Sequence, residues 1–262
     1  MGLDSQAYRG DVLVLAGDVS DDLTLLERVL SVCASRFASV LYVPGNHDLW
    51  VHRGEFDCSL TKFHAVLALC EELGVATSPF ALRGVAFVPL LSWYDYSFGS
   101  LDRSLKLGWR DFKACSWPSA LADHGALTEH FHAINRESVR AEESWLKERA
   151  EIDAVISCSH FLPTLDVMPD WIPESRRTVY PVLGSRALGK QVKELAPDIH
   201  VYGHSHVNQA IRLGATCYIN NAFATPKETR IAVKRLRCIY DTDNAEVIPR
   251  LLEEANAGLL WT

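Results

Sequence analysis

Residues 11–18, Asp-Val-Leu-Val-Leu-Ala-Gly-Asp, read as a short apolar run that stops at a glycine and delivers a carboxylate. A continuous run of this length suits a strand buried on both faces, and Gly17-Asp18 then falls just past its carboxyl end. The same pattern recurs along the chain. Residues 39–48, Ser-Val-Leu-Tyr-Val-Pro-Gly-Asn-His-Asp, form a second run that turns at Pro44-Gly45 and presents Asn46, His47 and Asp48. Residues 153–158 lead into Ser159-His160-Phe161, and residues 198–202 lead into Gly203-His204-Ser205-His206. Polar groups just beyond buried strands are where open α/β sheets assemble their sites.

Helical patterns separate these runs. Asp21 or Asp22 can cap a helix whose Leu26, Val29, Leu30, Cys33 and Phe37 keep the spacing of a core-facing stripe. A second helix is expected over residues 59–73, stopped by Gly74, and a strand over residues 85–91. Residues 93–128 break the rhythm, because Trp93, Tyr94, Tyr96, Phe98, Trp109, Phe112 and Trp117 occur there among polar residues. That segment reads as an aromatic-rich insert, an elaborated loop or cap. An amphipathic helix is expected over residues 129–150, a proline-rich loop over residues 161–184, and a helix over residues 185–195. Short strands over residues 207–213, 216–220 and 231–240 are expected to build a second sheet. The reading is an α/β chain: a layered α/β/β/α sandwich of two mixed β-sheets flanked by helices, with residues 1–262 as a single domain.

A chain of 262 residues, 48% of them apolar, can bury one sizeable core. A net charge of −7 argues against a broad basic surface for nucleic acid, although a local basic pocket is compatible with it. The partner expected on this ground is small, not polymeric. Seven cysteines without a Cys-x-x-Cys pair read as reduced thiols, which points to a cytoplasmic or similar compartment. The first residues show neither a basic leader nor an apolar core, and no run approaches 18 apolar residues, so neither a signal peptide nor a membrane span is expected.

The residues past the strand ends carry a chemistry. Asp18 has two oxygens and can bridge two cations about 3.5–4 Å apart. Asn46 offers a neutral amide oxygen, and His160, His204 and His206 offer imidazole nitrogens. His204 and His206 flank one residue, so on an extended backbone both point the same way. His47 is followed by Asp48, which can hold the imidazole in one tautomer. Oxygen and nitrogen donors without thiolate suit ions such as Mn, Fe or Zn in a working site. A Gly-Asp turn, a Pro-Gly-Asn turn and a lone histidine are each ordinary when met singly. Four blocks in this order, each after a strand, are not.

Over residues 11–222 the chain resembles the calcineurin-like metallophosphoesterases, whose blocks run Asp-x-His, Gly-Asp, Gly-Asn-His-Asp/Glu, a lone His and Gly-His-x-His. All but the first block are present; Asp4-Ser5-Gln6 has Gln in place of the His, and the first strand of the family fold is expected to be missing. The resemblance implies two divalent metal ions. One would be held by Asp18, Asn46, His160 and His204, and the other would share Asp18 and take His206. It also implies that His47, with Asp48, serves catalysis as general acid to the leaving oxygen or as a phosphate contact, without ligating. The implied activity is hydrolysis of a phosphomonoester or phosphodiester in a small phosphorylated substrate, impaired in a chain without the first block. The alternative is a non-catalytic binding or scaffold module with a degenerate form of the same fold, and retention of His47 favours the enzyme.

Overall fold

The computed structural model describes residues 7–141, 152–225, 228, 234–244 and 247–256. The opening run forms β1 (Val12–Leu15), which pairs in parallel with β2 (Ser39–Tyr42) to make a two-stranded sheet. Between them lies α1 (Leu23–Ala34), and its N-cap is Asp22, whose carboxylate accepts the Leu25 N–H at 3.0 Å. Asp21 turns instead to Arg53 and His52. After α2 (Ser59–Glu72) come β3 (Phe80–Leu82) and β4 (Val85–Leu90). The aromatic insert contains α3 (Arg103–Gly108) and α4 (Asp111–Ala114), and α5 (His124–Ala141) follows. The remaining elements are β5 (Ala154–Ser159), α6 (Arg186–Leu195), β6 (Ile199–Val201), β7 (Gln209–Leu213), β8 (Thr216–Asn220) and α7 (Val247–Asn256).

Strands β3 to β8 form a mixed six-stranded sheet in the order β3-β4-β5-β6-β8-β7, parallel at its centre and antiparallel at both edges. Strand alternation sorts side chains into layers. Leu41 and Val43 point from the β2 segment toward Phe87, Ile156, Cys158, Ile199 and Ile219, so the two sheets share one apolar core. Val40 and Tyr42 point the other way, onto Leu26, Leu30 and Cys33 of α1 and Val66 and Cys70 of α2. On the far side, Val88, Leu90 and Val155 pack on Leu188 and Val192 of α6. The α/β/β/α layering expected from the sequence is therefore present. Leu26 and Leu30 are fully buried, and each such side chain contributes about 1.5–3 kcal/mol relative to exposure.

Sheet membership differs from the sequence reading. The late strands do not make a sheet of their own, because β8 hydrogen-bonds in parallel to β6, with Cys217 opposite Ile199, and so extends the central sheet. The smaller sheet consists of β1 and β2 and is parallel. Of the strand expected over 231–240, residues 231–233 lie outside the described residues, and residues 234–240 are not a strand. Leu236 packs on the α1–α2 side and Ile239 and Tyr240 on the inter-sheet core, so their apolar alternation is satisfied without a ladder. The helix expected over 129–150 starts earlier, at His124, and its expected last residues, 142–150, lie outside the described residues. Strand β3 has only three residues, too few for a pattern to show, and α7 has Pro249 in its first turn. Among the described residues no helix is long and apolar enough to cross a membrane.

His200, in the middle of β6, is completely buried between two serines. Its Nδ1 lies 2.8 Å from Ser157 Oγ and its Nε2 3.0 Å from Ser159 Oγ. Ser159 donates to Phe161 O, so its oxygen accepts from Nε2–H, and the neutral ring is satisfied. Burial lowers the His200 pKa to about 3. The unfolded chain therefore binds a proton near pH 6.5 that the folded chain refuses, and stability present above that pH is lost as pH falls toward 3. His200 alone should remove about 2 kcal/mol between pH 7 and pH 5. Urea denaturation at both pH values checks this: His200→Gln, which keeps a donor and an acceptor, should show a shallower decline than wild type.

Candidate metal centre

The site forms where the loops after β1, β2, β5 and β6 meet. Gly17 has φ +84°, and a Cβ there would lie 2.6 Å from Gly45 N, so the first two loops approach as only glycine allows. Asp48 clasps them. Its fully buried carboxylate accepts N–H groups from Asp18 at 2.7 Å, Ser20 at 2.9 Å and Gly45 at 2.8 Å. Hydrogen bonds to a charged group contribute about 1.5–3 kcal/mol each, which makes Asp48 the tie between the two loops. The sequence reading places Asp48 against the His47 imidazole. The structure places it beneath the loops, and the carboxylate nearest His47 Nε2 is that of Asp18, at 3.8 Å.

Asp18, Asn46, His160 and His204 come together. His160 Nε2 lies 3.0 Å from Asn46 Oδ1, 3.1 Å from His204 Nδ1 and 3.4 Å from Asp18 Oδ2. The second nitrogen of each ring fixes the protons. His160 Nδ1 lies 2.6 Å from Ala16 O and His204 Nε2 lies 3.1 Å from Val182 O; a carbonyl only accepts, so these two nitrogens carry the hydrogens. Burial holds His160 at a pKa of about 4 and pushes His204 well below the usual imidazole range, so both rings are neutral. Asn46 Nδ2 donates to Asp111 at 2.8 Å, which turns Oδ1 inward. Four lone-pair atoms thus face one another without a hydrogen between the two imidazole nitrogens and the amide oxygen. Such a set is repulsive unless a cation sits among it.

The spacing fits one. Two donors about 2.1 Å from a common ion are about 3.0 Å apart at a right angle and about 3.4 Å apart at the tetrahedral angle. Asp18, His160 and His204 each offer a donor atom within 4.8 Å of the others. Burial first, and then the neighbouring Asp48 charge, raise Asp18 to a pKa of about 7, with His47 opposing. Asp18 (φ 57°) and His204 (φ 61°) also hold left-handed backbone conformations, strain of a kind that concentrates at functional sites.

His206 is placed differently from the sequence reading. Both His204 and His206 (φ 54°) are left-handed, so the backbone is not extended there and the two rings do not share one side by strand alternation. His206 Nδ1 pairs with the Glu228 carboxylate at 3.1 Å, and the residue lies near enough to His47, His160 and His204 for a positive charge on it to disfavour charge on them. His47 borders the cluster. Its side chain is 39% exposed, its ring stacks on Trp50 at 3.8 Å, and its backbone N–H donates to Asp18 Oδ1 at 2.9 Å. Burial lowers the His47 pKa, and Asp18 opposes the shift.

Three neighbours escape the sequence reading. Glu228 is one. Lys62 is a second: it is buried, and its Nζ donates to Asp21 O and Trp50 O, fixing the loop that carries His47. The third is Asp111, from the insert, whose Oδ1 accepts from Asn46. Aromatic residues of the insert pack inward, with Trp93 and Tyr94 against Phe161, and Phe161 stands 4.5 Å from the His204 ring.

A fold of two packed sheets with an oxygen-and-nitrogen site at the strand ends defines a class, and the chain belongs to the calcineurin-like phosphoesterase family, whose model it matches over residues 4–208. It is similar to [Acyl-carrier-protein] phosphodiesterase PptH of Mycobacterium tuberculosis (strain ATCC 25618 / H37Rv), with 36% identity over 97 residues. That match covers 34% of this chain and 30% of the relative's length. The crystal structure of Phosphopantetheinyl Hydrolase (PptH) from Mycobacterium tuberculosis has the same fold, with a TM-score of 0.60 and 21% identity over 81% of this chain and 78% of that one.

Proposed function

We propose that this chain is one calcineurin-like phosphoesterase domain that hydrolyses a phosphoric ester with the help of divalent metal, Mn²⁺ being a suitable ion. The observation that carries the reading is the convergence of Asp18, Asn46, His160 and His204 with lone pairs inward. A divalent ion bound there would supply Lewis-acid stabilisation of a phosphoryl group. His206 and Asp18 would face a second ion, held more weakly because His206 already answers to Glu228. His47, exposed at the rim and steadied by Trp50, would give its proton to the leaving oxygen. Asp48 would serve catalysis by holding the loops that carry Asp18 and His47. The substrate we infer is a small phosphorylated group, and the name of the M. tuberculosis relative supports a phosphodiester, such as the one that joins phosphopantetheine to a carrier protein. All seven cysteines are free thiols, which supports a reducing, cytoplasmic setting.

The test is hydrolysis of a chromogenic phosphodiester by metal-stripped protein with and without added Mn²⁺. Lewis-acid stabilisation of several kcal/mol predicts a rise of about 100-fold or more, reversed by a chelator. Binding of Mn²⁺ without any turnover of mono- or diesters would favour the non-catalytic module instead.

A further inference from the structure

We propose that Asp111 is a positioning residue for the metal centre: its carboxylate decides which atom of the Asn46 amide faces the ion. The proposal rests on the metal reading above. Asp111 opens α4, inside the aromatic insert, and is buried. Its Oδ1 accepts from Asn46 Nδ2 at 2.8 Å and Trp50 Nε1 at 2.7 Å, and its Oδ2 accepts from Trp109 Nε1 at 2.8 Å and Tyr94 OH at 3.2 Å. Four donors satisfy a buried carboxylate, which would otherwise be costly to hold there.

The two ends of an asparagine amide are nearly the same size, but only the oxygen can ligate a cation. A carboxylate accepts and never donates. Nδ2 is therefore the end that must turn to Asp111, and Oδ1 is left 3.0 Å from His160 Nε2. A rotated amide would aim two N–H groups at the ion. The same carboxylate also anchors Trp50, on which His47 stacks, and Trp109, whose ring lies 5.9 Å from that of His204. The insert thus reaches Asn46 through Asp111.

Mn²⁺ titration of metal-stripped protein by calorimetry tests this, with far-ultraviolet circular dichroism to show folding. Asp111→Asn keeps the shape of the side chain but replaces one acceptor by a donor, and should weaken Mn²⁺ binding about 10–100-fold. If Asp111 acts through Asn46, the same change made in an Asn46→Ala background should alter affinity by about threefold or less. An equal loss in both backgrounds would mean that Asp111 merely supports the fold, and no loss in either would overturn the proposal outright. Should Asp111→Asn not fold, Asn46→Asp decides. It keeps a ligand oxygen and adds charge, yet sets a second carboxylate against Asp111, so weaker Mn²⁺ binding is expected; equal or tighter binding overturns the proposal. A wild-type chain that binds no Mn²⁺ would overturn the metal reading and this inference with it, whereas wild-type binding unaffected by these variants overturns this inference alone.

Discussion

His47→Ala should lower the turnover of a phosphodiester by about 10²–10⁴-fold while leaving bound Mn²⁺ at the wild-type level. The two effects separate because His47 stands beside the donor cluster, not in it. Its Nε2 is 3.8 Å from Asp18 Oδ2, its side chain is 39% exposed, and its ring is held against Trp50. A group in that position meets the substrate from the solvent side and can protonate a leaving oxygen. Its backbone N–H still donates to Asp18 Oδ1 in the alanine variant, so the carboxylate keeps its orientation. Metal analysis after gel filtration, run beside the kinetic assay, checks both halves. Parallel loss of metal and turnover would move His47 into the ligand set.

His160→Ala should have the opposite profile, with metal and activity lost together. His160 Nε2 is the one nitrogen in contact with all three other donors, at 3.0, 3.1 and 3.4 Å. The ring is nearly fully buried. Loss of an outer partner of a ligand costs about 10–100-fold in metal affinity, so loss of this ligand should cost more than about 100-fold. Mn²⁺ titration of the folded variant measures it, and an affinity near wild type would remove His160 from the centre.

How much of this was legible in the sequence depends on the range of each interaction. The residues of the β1, β2, β5 and β6 exits can be read locally, because an apolar run followed by a polar residue says where the chain leaves the sheet. Asp18, Asn46, His160 and His204 were accessible in that way, although they span residues 18 to 204. The second partner of β8 was not, since pairing in parallel with β6 is a choice among strands that local patterning does not encode. Asp48 shows the same limit. Its neighbour His47 suggests a side-chain pair, but its hydrogen bonds run to backbone N–H groups, one of them 30 residues away.

Asp111 was hidden for a different reason. It lies 65 residues from Asn46, in a segment whose aromatic residues suggest a cap packed on the body. The available signal was weak: Asp111 stands between Trp109 and Phe112, but the stretch also holds Asp95, Asp102 and Asp123, and only the fold shows which carboxylate meets indole and hydroxyl donors. His206 failed the strand rule because His204 and His206 are themselves left-handed, and one-residue spacing predicts a shared face only on extended backbone.

Whether a cation sits among the four inward lone pairs is tested by diffraction from crystals grown with Mn²⁺, recorded at the manganese absorption edge. An anomalous peak is expected about 2.0–2.3 Å from Asp18 Oδ2, Asn46 Oδ1, His160 Nε2 and His204 Nδ1. A map in which that position stays empty at saturating Mn²⁺, or in which the Asn46 amide turns its nitrogen inward, would contradict that placement.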